Sequence, residues 1–143
     1  MTPTYDPTNI FAKILRGEAP CVKVYEDDVA LAFMDVMPRA DGHTLIIPKA
    51  PARTLFDIAP EDLARFMPAV QKVARAVMTG MKAEGLSVQQ FNETAGGQQV
   101  FHLHFHLLPR WMGVALRPPG GPFQNAEALR PQAEKIIAAL AGA

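Results

Sequence analysis

The feature that most constrains this chain is the run Val100, Phe101, His102, Leu103, His104, Phe105, His106, Leu107, Leu108, Pro109, Arg110. Three of its four histidines fall here at every second position, with large apolar residues between them. Strict alternation is the period-two pattern of a half-buried strand, so the run predicts one strand from residue 100 to 110 with all three imidazoles on one face. Phe101, Leu103, Phe105 and Leu107 then point the other way, and burying each, at ~1.5 to 3 kcal/mol, fixes the register. A slip of one residue would bury the imidazoles and expose the apolar groups.

Two chemistries fit such a face. Neutral imidazoles at alternate positions can converge on zinc, three of them leaving the open coordination position that catalysis needs. Alternatively, one imidazole attacks while its neighbours handle protons and charge. Just upstream, Ala95, Gly96, Gly97, Gln98 and Gln99 form a loop that lets backbone N–H groups approach an anion, because glycine has no Cβ to hold a phosphate off. A metal centre would want a carboxylate or cysteine close by, and the stretch has neither. The composition favours a phosphate held by amides and imidazoles, with no metal and no cofactor. A three-histidine zinc-dependent hydrolase and a nucleotide-binding protein with little catalysis stay open.

These residues resemble the signature of the histidine triad (HIT) family: Gly97-Gln98, Val100, then His102, His104 and His106 separated by hydrophobic residues and closed by Leu107-Leu108. The run Leu31-Ala32-Phe33-Met34-Asp35-Val36, Pro38, Ala40, Gly42-His43-Thr44-Leu45-Ile46-Ile47-Pro48-Lys49 is similar to the other half of the pattern. So is Asn9-Ile10-Phe11 with Lys13-Ile14, Gly17-Glu18 and Pro20, and the resemblance spans residues 8 to 110. It implies an α+β fold: a five-stranded antiparallel sheet, one long helix, one or two shorter ones, and a sheet continued across a homodimer. It also implies a hydrolase that cleaves purine nucleoside phosphoramidates at the α-phosphate through a covalent nucleotidyl-histidine, with diadenosine polyphosphates as the alternative substrate.

Residue by residue, the resemblance makes His104 the nucleophile. Gln98, His106 and the N–H groups of Gln99 and Val100 would meet the phosphate oxygens, His102 would lie near the leaving group, and His43 would support His106 from behind. Asp35 would bind the ribose hydroxyls, Asn92 would approach the phosphate, and Ile10, Phe11, Ile14 and Phe33 would hold the base. Branches that transfer nucleotides to sugar phosphates usually have glutamine where this chain has His106, which places it with the hydrolases. Some relatives hold a structural zinc with a cysteine pair near the first helix; Ala12 and its neighbours supply no thiol.

The rest of the chain fits one domain. Its 143 residues, 49% of them apolar, suffice for one core, and a formal net charge of zero gives no general attraction to nucleic acid or membrane. The lone Cys21 excludes an internal disulfide. No apolar run reaches the ~20 residues of a membrane span and no basic, apolar leader opens the chain, so a cytoplasmic location is expected. Residues 1 to 7 read as a loose tail, 8 to 110 as the core, and 111 to 143 as a loop and C-terminal helix of the same domain.

Within the core, Thr8 or Asn9 caps a short helix carrying Ile10 to Leu15, and Val22 to Tyr25 and Val29 to Met34 form a hairpin. His43 opens a strand over Thr44 to Ile47. Pro60 starts a helix to about Glu84 whose stripe is Leu63, Phe66, Met67, Val70, Val73, Val77, Met78 and Met81. Ser87 to Phe91 reads as a strand ended by Asn92, and Ala126 to Leu140 as the last helix.

Overall fold

Asp27 turns the first hairpin: its Oδ1 accepts the N–H groups of Val29 and Ala30, each at 2.8 Å, and so reverses the chain between two strands. In the computed structural model, which describes residues 4 to 142, these strands are β1 (Lys23–Glu26) and β2 (Ala30–Met34). With β3 (Thr44–Pro48), β4 (Gly85–Gln89) and β5 (Phe105–Arg110) they form one antiparallel sheet in the order β1-β2-β3-β5-β4. Three helices complete the α+β fold: α1 (Ile10–Leu15), α2 (Pro60–Gly80) and α3 (Ala126–Ala141). None of the described helices is long and apolar enough to cross a membrane.

Every residue of β2 and β3 is buried, because the sheet is covered on both sides. Ala30, Ala32, Met34, Ile46, Phe105 and Leu107 meet α2 through Phe66, Val70, Val73 and Val77, and α3 through Leu129, Ala133 and Ile136. On the other face Leu31, Phe33, Leu45 and Ile47 pack against Phe11 of α1. Asn9 caps α1 by accepting the Ala12 N–H at 2.9 Å. His106 stands opposite Leu45 in the β3–β5 register, so it lies on the α1 face, with a rigid hydrocarbon layer behind it.

The expected strand from residue 100 is only half formed, since β5 begins at Phe105. Leu103 gives its N–H to the carbonyl of Ala52 at 2.8 Å, and the β3–β5 ladder ends at Ile46 opposite Phe105. Residues 100 to 104 therefore leave the sheet before they can alternate across it. Phe101 does not join Leu103, Phe105 and Leu107 in the core; the Arg53 guanidinium lies 4.1 Å above its ring. Helix α2 stops at Gly80, short of Glu84, and β4 starts earlier than expected because the Glu84 N–H already pairs with the Arg110 carbonyl at 3.0 Å. The tail expectation falls partly outside the described residues; within it, Tyr5 is tied to His102.

Candidate active site

His104 precedes β5, and its Nδ1 donates to the main-chain carbonyl of His102 at 2.7 Å. A neutral ring so bonded carries its proton on Nδ1 and keeps a lone pair on Nε2. The ring stands edge-on to Phe11, 4.9 Å between centroids, and 5.0 Å from the ring of His106. Every fully buried side-chain nitrogen or oxygen among the described residues has a hydrogen-bond partner. His104 Nε2 has none, so that atom opens on solvent although the residue is only 7% exposed.

The tautomer of His106 is set through a chain. The Arg39 N–H donates to Nδ1 of His43 at 3.0 Å, so neutral His43 holds its proton on Nε2 and donates it to Nδ1 of His106, also at 3.0 Å. His106 then bears its own proton on Nε2, a donor beside the free lone pair of His104. Asp35 completes the group: Oδ1 accepts the Met37 N–H at 2.8 Å, and Oδ2 lies 3.3 Å from His43 Nε2. Burial raises the Asp35 carboxyl above its ordinary value, against the lowering effect of the Met37 N–H.

His102 is fully buried, with Nε2 donating to the Pro48 carbonyl at 2.8 Å and Nδ1 accepting the Tyr5 hydroxyl at 2.6 Å. Both ring nitrogens are spent, which corrects one expectation, since His102 has no atom left to touch a leaving group, and counts against the alternative in which His102, His104 and His106 converge on zinc. Burial is the first cause that holds all four imidazoles low, His43 at about 3, His102 and His106 at about 4, and His104 below its ordinary value. Arg39 acts further on His43 and His106, and protonation of His106 would push His43 lower still, as protonation of His104 would His106.

Among the described residues, Asp35, His43 and His106 bring ligand atoms within 4.8 Å of one another, the spacing of a metal site. Their hydrogen bonds do not fit one. Freeing His43 Nε2 for a cation would move its proton to Nδ1, facing the Arg39 N–H.

The loop before the histidines is held by side chains. Gln98 is buried; its Oε1 accepts the Glu93 N–H at 2.7 Å, and its Nε2 donates to the carbonyls of Arg53 and Val100 at 2.7 and 3.0 Å. With both amide protons used inside the loop, Gln98 positions the turn and does not reach a phosphate, contrary to expectation. Gln99 is exposed and Val100 half-buried, and no described acceptor takes either N–H. Asn92 also differs from expectation: its Oδ1 accepts from the Leu55 N–H and Gln90 Nε2, and its Nδ2 donates to Gln90 Oε1, so it joins β4's end to a neighbouring loop.

Glu93 sits at φ 63 and ψ 164, a conformation that costs a residue with a Cβ about 1 to 3 kcal/mol. A two-pronged ion pair to Arg53, with contacts of 2.8 to 3.1 Å, holds it there. Gly97 takes φ +100 with the Phe91 ring against it, where a Cβ would come within 3.3 Å. In the base region, Phe11 and Phe33 are buried edge-on at 5.3 Å, Ile14 is half-buried beside them, and Ile10 is exposed at the rim.

A family model described as the HIT domain matches residues 16 to 112. The chain belongs to the HIT family. This HIT protein is 41% identical over 107 residues to the adenosine 5'-monophosphoramidase HNT1 of Saccharomyces cerevisiae, covering 75% of this chain and 65% of the yeast protein. It is 37% identical over 114 residues to the adenylylsulfatase HINT3 of Arabidopsis thaliana, covering 76% of this chain and 58% of the plant protein. Among solved structures, a Hit-like protein from Bartonella henselae superposes with a TM-score of 0.89 at 50% identity, covering 95% of this chain and 99% of that one.

Sequence reasoning missed four residues that shape this HIT site: Tyr5, Arg39, Arg53 and Glu93. Arg53 and Glu93 meet across 40 positions and Tyr5 meets His102 across 97, so no local pattern could pair them. Arg39 had a signal, a lone cation four residues before His43.

Proposed function

We propose that this protein hydrolyses purine nucleoside phosphoramidates at the α-phosphorus through a nucleotidyl-histidine on His104. The observation that carries the reading is the Nδ1–H of His104 held by the His102 carbonyl at 2.7 Å, which leaves an accessible Nε2 lone pair pinned in direction. In the first step Nε2 attacks phosphorus in line, the bond to the leaving amine breaks, and the amine takes up a proton. In the second, water attacks the phosphorus, the P–N bond to His104 breaks, and its electron pair returns to Nε2 as the nucleoside monophosphate and a proton depart. Splitting the displacement lowers each barrier. His106 Nε2–H and the N–H groups of Gln99 and Val100 act as preformed donors to the phosphate oxygens. Asp35 reads the ribose hydroxyls, and Phe11, Ile14 and Ile10 flank the base. Relatives named as an adenosine 5'-monophosphoramidase and an adenylylsulfatase support a reaction at such a centre.

Diadenosine polyphosphates are the second reading, favoured by the same nucleophile with a different leaving group. A homodimer is part of the proposal, because β4 is a sheet edge with Val88 52% exposed. The test is intact mass after an acid-free rapid quench with adenosine 5'-phosphoramidate. A transient gain of one adenylyl group in the native protein, absent in His104→Ala together with a loss of turnover of at least roughly 10^4-fold, supports the proposal. Turnover that survives in His104→Ala, or binding of AMP without turnover of any phosphoramidate or dinucleotide, sinks it.

A further inference from the structure

The chain between Asp35 and His43 closes into a loop, because the Asp35 N–H donates to the His43 carbonyl at 3.0 Å. The Arg39 N–H from inside this loop meets the His43 ring, so the shape of the loop decides where that imidazole points. At the last bend Gly42 is buried at φ +82, and a Cβ there would come within 2.6 Å of Met81 Cγ at the end of α2. A buried main-chain N–H needs a partner. That of Gly42 donates to Oε1 of Gln132, on α3 and 90 positions away, at 2.8 Å. Other bonds from the same part of the chain hold the loop further from His43: the Val36 carbonyl accepts the Gln124 N–H at 2.7 Å and the Arg39 carbonyl the Arg117 N–H at 2.8 Å. The Arg117–Asp41 pair is exposed and adds little. Gln132 is the side chain that reaches the residue next to His43.

Packing alone does not call for a glutamine there. It stands three residues after Leu129 and four before Ile136, so it shares the stripe by which those residues and Ala133 enter the core, and it is itself half-buried. An apolar side chain would suit that row better, whereas the Gly42 N–H needs an acceptor. The helix that presents it is firmly seated. A Cβ on Gly80 would come within 2.7 Å of the Lys135 carbonyl oxygen, so α2 and α3 meet backbone to side-chain-free backbone beside the same bend. Gln132 also lies beyond residue 112, where the match to the HIT domain ends.

We propose that Gln132 is a positioning residue of the site: by holding the Gly42 N–H it fixes the turn that aims His43 at Nδ1 of His106, and so keeps the His106 proton on Nε2. The C-terminal helix is thereby joined to the donor that faces the phosphate. Its effect on turnover rests on the α-phosphate reading above, whereas the His106 tautomer can be read with no substrate present. Without the acceptor, the bend loses its anchor on α3, His43 no longer holds one direction, and His106 populates the tautomer with its proton on Nδ1.

The test compares the native full-length protein with Gln132→Leu, which removes the acceptor, and Gln132→Glu, which keeps it. Imidazole nitrogen resonances of protein labelled with 15N-histidine report the His106 tautomer, and kcat and KM are measured with adenosine 5'-phosphoramidate below the melting temperature of each variant. In Gln132→Leu the His106 Nδ1 resonance should move toward the protonated position and kcat should fall roughly 10-fold, with KM changed by less than about 2-fold. Gln132→Glu should restore both. Should Gln132→Leu fail to fold, Gln132→Ser takes its place, its hydroxyl too short to reach Gly42. A folded acceptor-free variant with a lower melting temperature but native kcat or native His106 resonances overturns the proposal, as does a Gln132→Glu no better than Gln132→Leu. A native protein that turns over no phosphoramidate or dinucleotide overturns the α-phosphate reading instead, and the His106 resonances alone then decide for or against Gln132.

Discussion

His104 and His106 stand two residues apart, yet their protons are placed by different kinds of partner. His104 is oriented by a main-chain carbonyl, that of His102, whereas His106 is oriented by a side chain, that of His43. A carbonyl accepts only, so the His104 tautomer survives almost any side-chain change that leaves the loop in place. The His106 tautomer depends on one imidazole whose own proton is set by the Arg39 N–H. The nucleophile is thus built into the backbone, and the donor beside it is replaceable.

Breaking the replaceable half should give the larger of the effects that this contrast predicts. In His43→Ala, Nδ1 of His106 loses its donor and becomes free to hold the proton, which turns Nε2 from donor to acceptor in front of the phosphate. Losing one preorganised donor costs on the order of 10^2- to 10^3-fold in kcat, with less change in KM. His104 should still form the adenylyl adduct, only more slowly, and single-turnover mass spectrometry separates the two. An adduct that forms at the native rate would mean His106 does not use the tautomer described.

Acid challenges both halves together. An unfolded imidazole titrates near its ordinary value, whereas folded His43 is held at about 3 and His102 and His106 at about 4. Between those values the unfolded chain binds more protons, so stability is full above about pH 6.5 and falls as the pH drops toward 4, by up to about 1.4 kcal/mol per pH unit for each depressed imidazole. Asp35, whose pKa is raised, acts in the opposite sense and offsets a part. Melting temperatures from pH 7.5 to 4.5 should therefore decline, and His43→Leu should flatten the curve. A melting point constant over that range would mean the imidazoles are solvated.

What the sequence revealed, and what it hid, divides along the same line. The stripe of α2, the hairpin at Asp27 and the buried strand β3 are legible because each is governed by neighbours within a few residues: Phe66, Val70, Val73 and Val77 need only a period of 3.6 to find one face. The alternation from residue 100 to 110 misled because Leu103 and His102 are captured by Ala52 and Pro48, the latter 54 positions away, and no local count reports such capture. Gln98 and Asn92 failed as phosphate contacts for the same reason, their amides being taken by carbonyls and an N–H that only the folded loop brings near. The histidines themselves were found because they are the exception, residues whose chemistry shows without knowing their partners.

The smallest effect should come from the backbone half. Tyr5→Phe removes the hydroxyl that donates to His102 Nδ1 and leaves a buried acceptor unpaired, which costs about 1 to 3 kcal/mol of stability. The His102 ring still donates to Pro48, and its carbonyl, the atom that orients His104, belongs to a chain also anchored by the Leu103 N–H on Ala52. Denaturant midpoints should therefore shift while kcat falls by less than roughly 10-fold, a gap of at least an order of magnitude from His43→Ala. If Tyr5→Phe instead cost as much turnover as His43→Ala, at a temperature where both variants are folded, the His102 ring would be steering the nucleophile itself. The contrast between carbonyl-set and side-chain-set imidazoles would then dissolve.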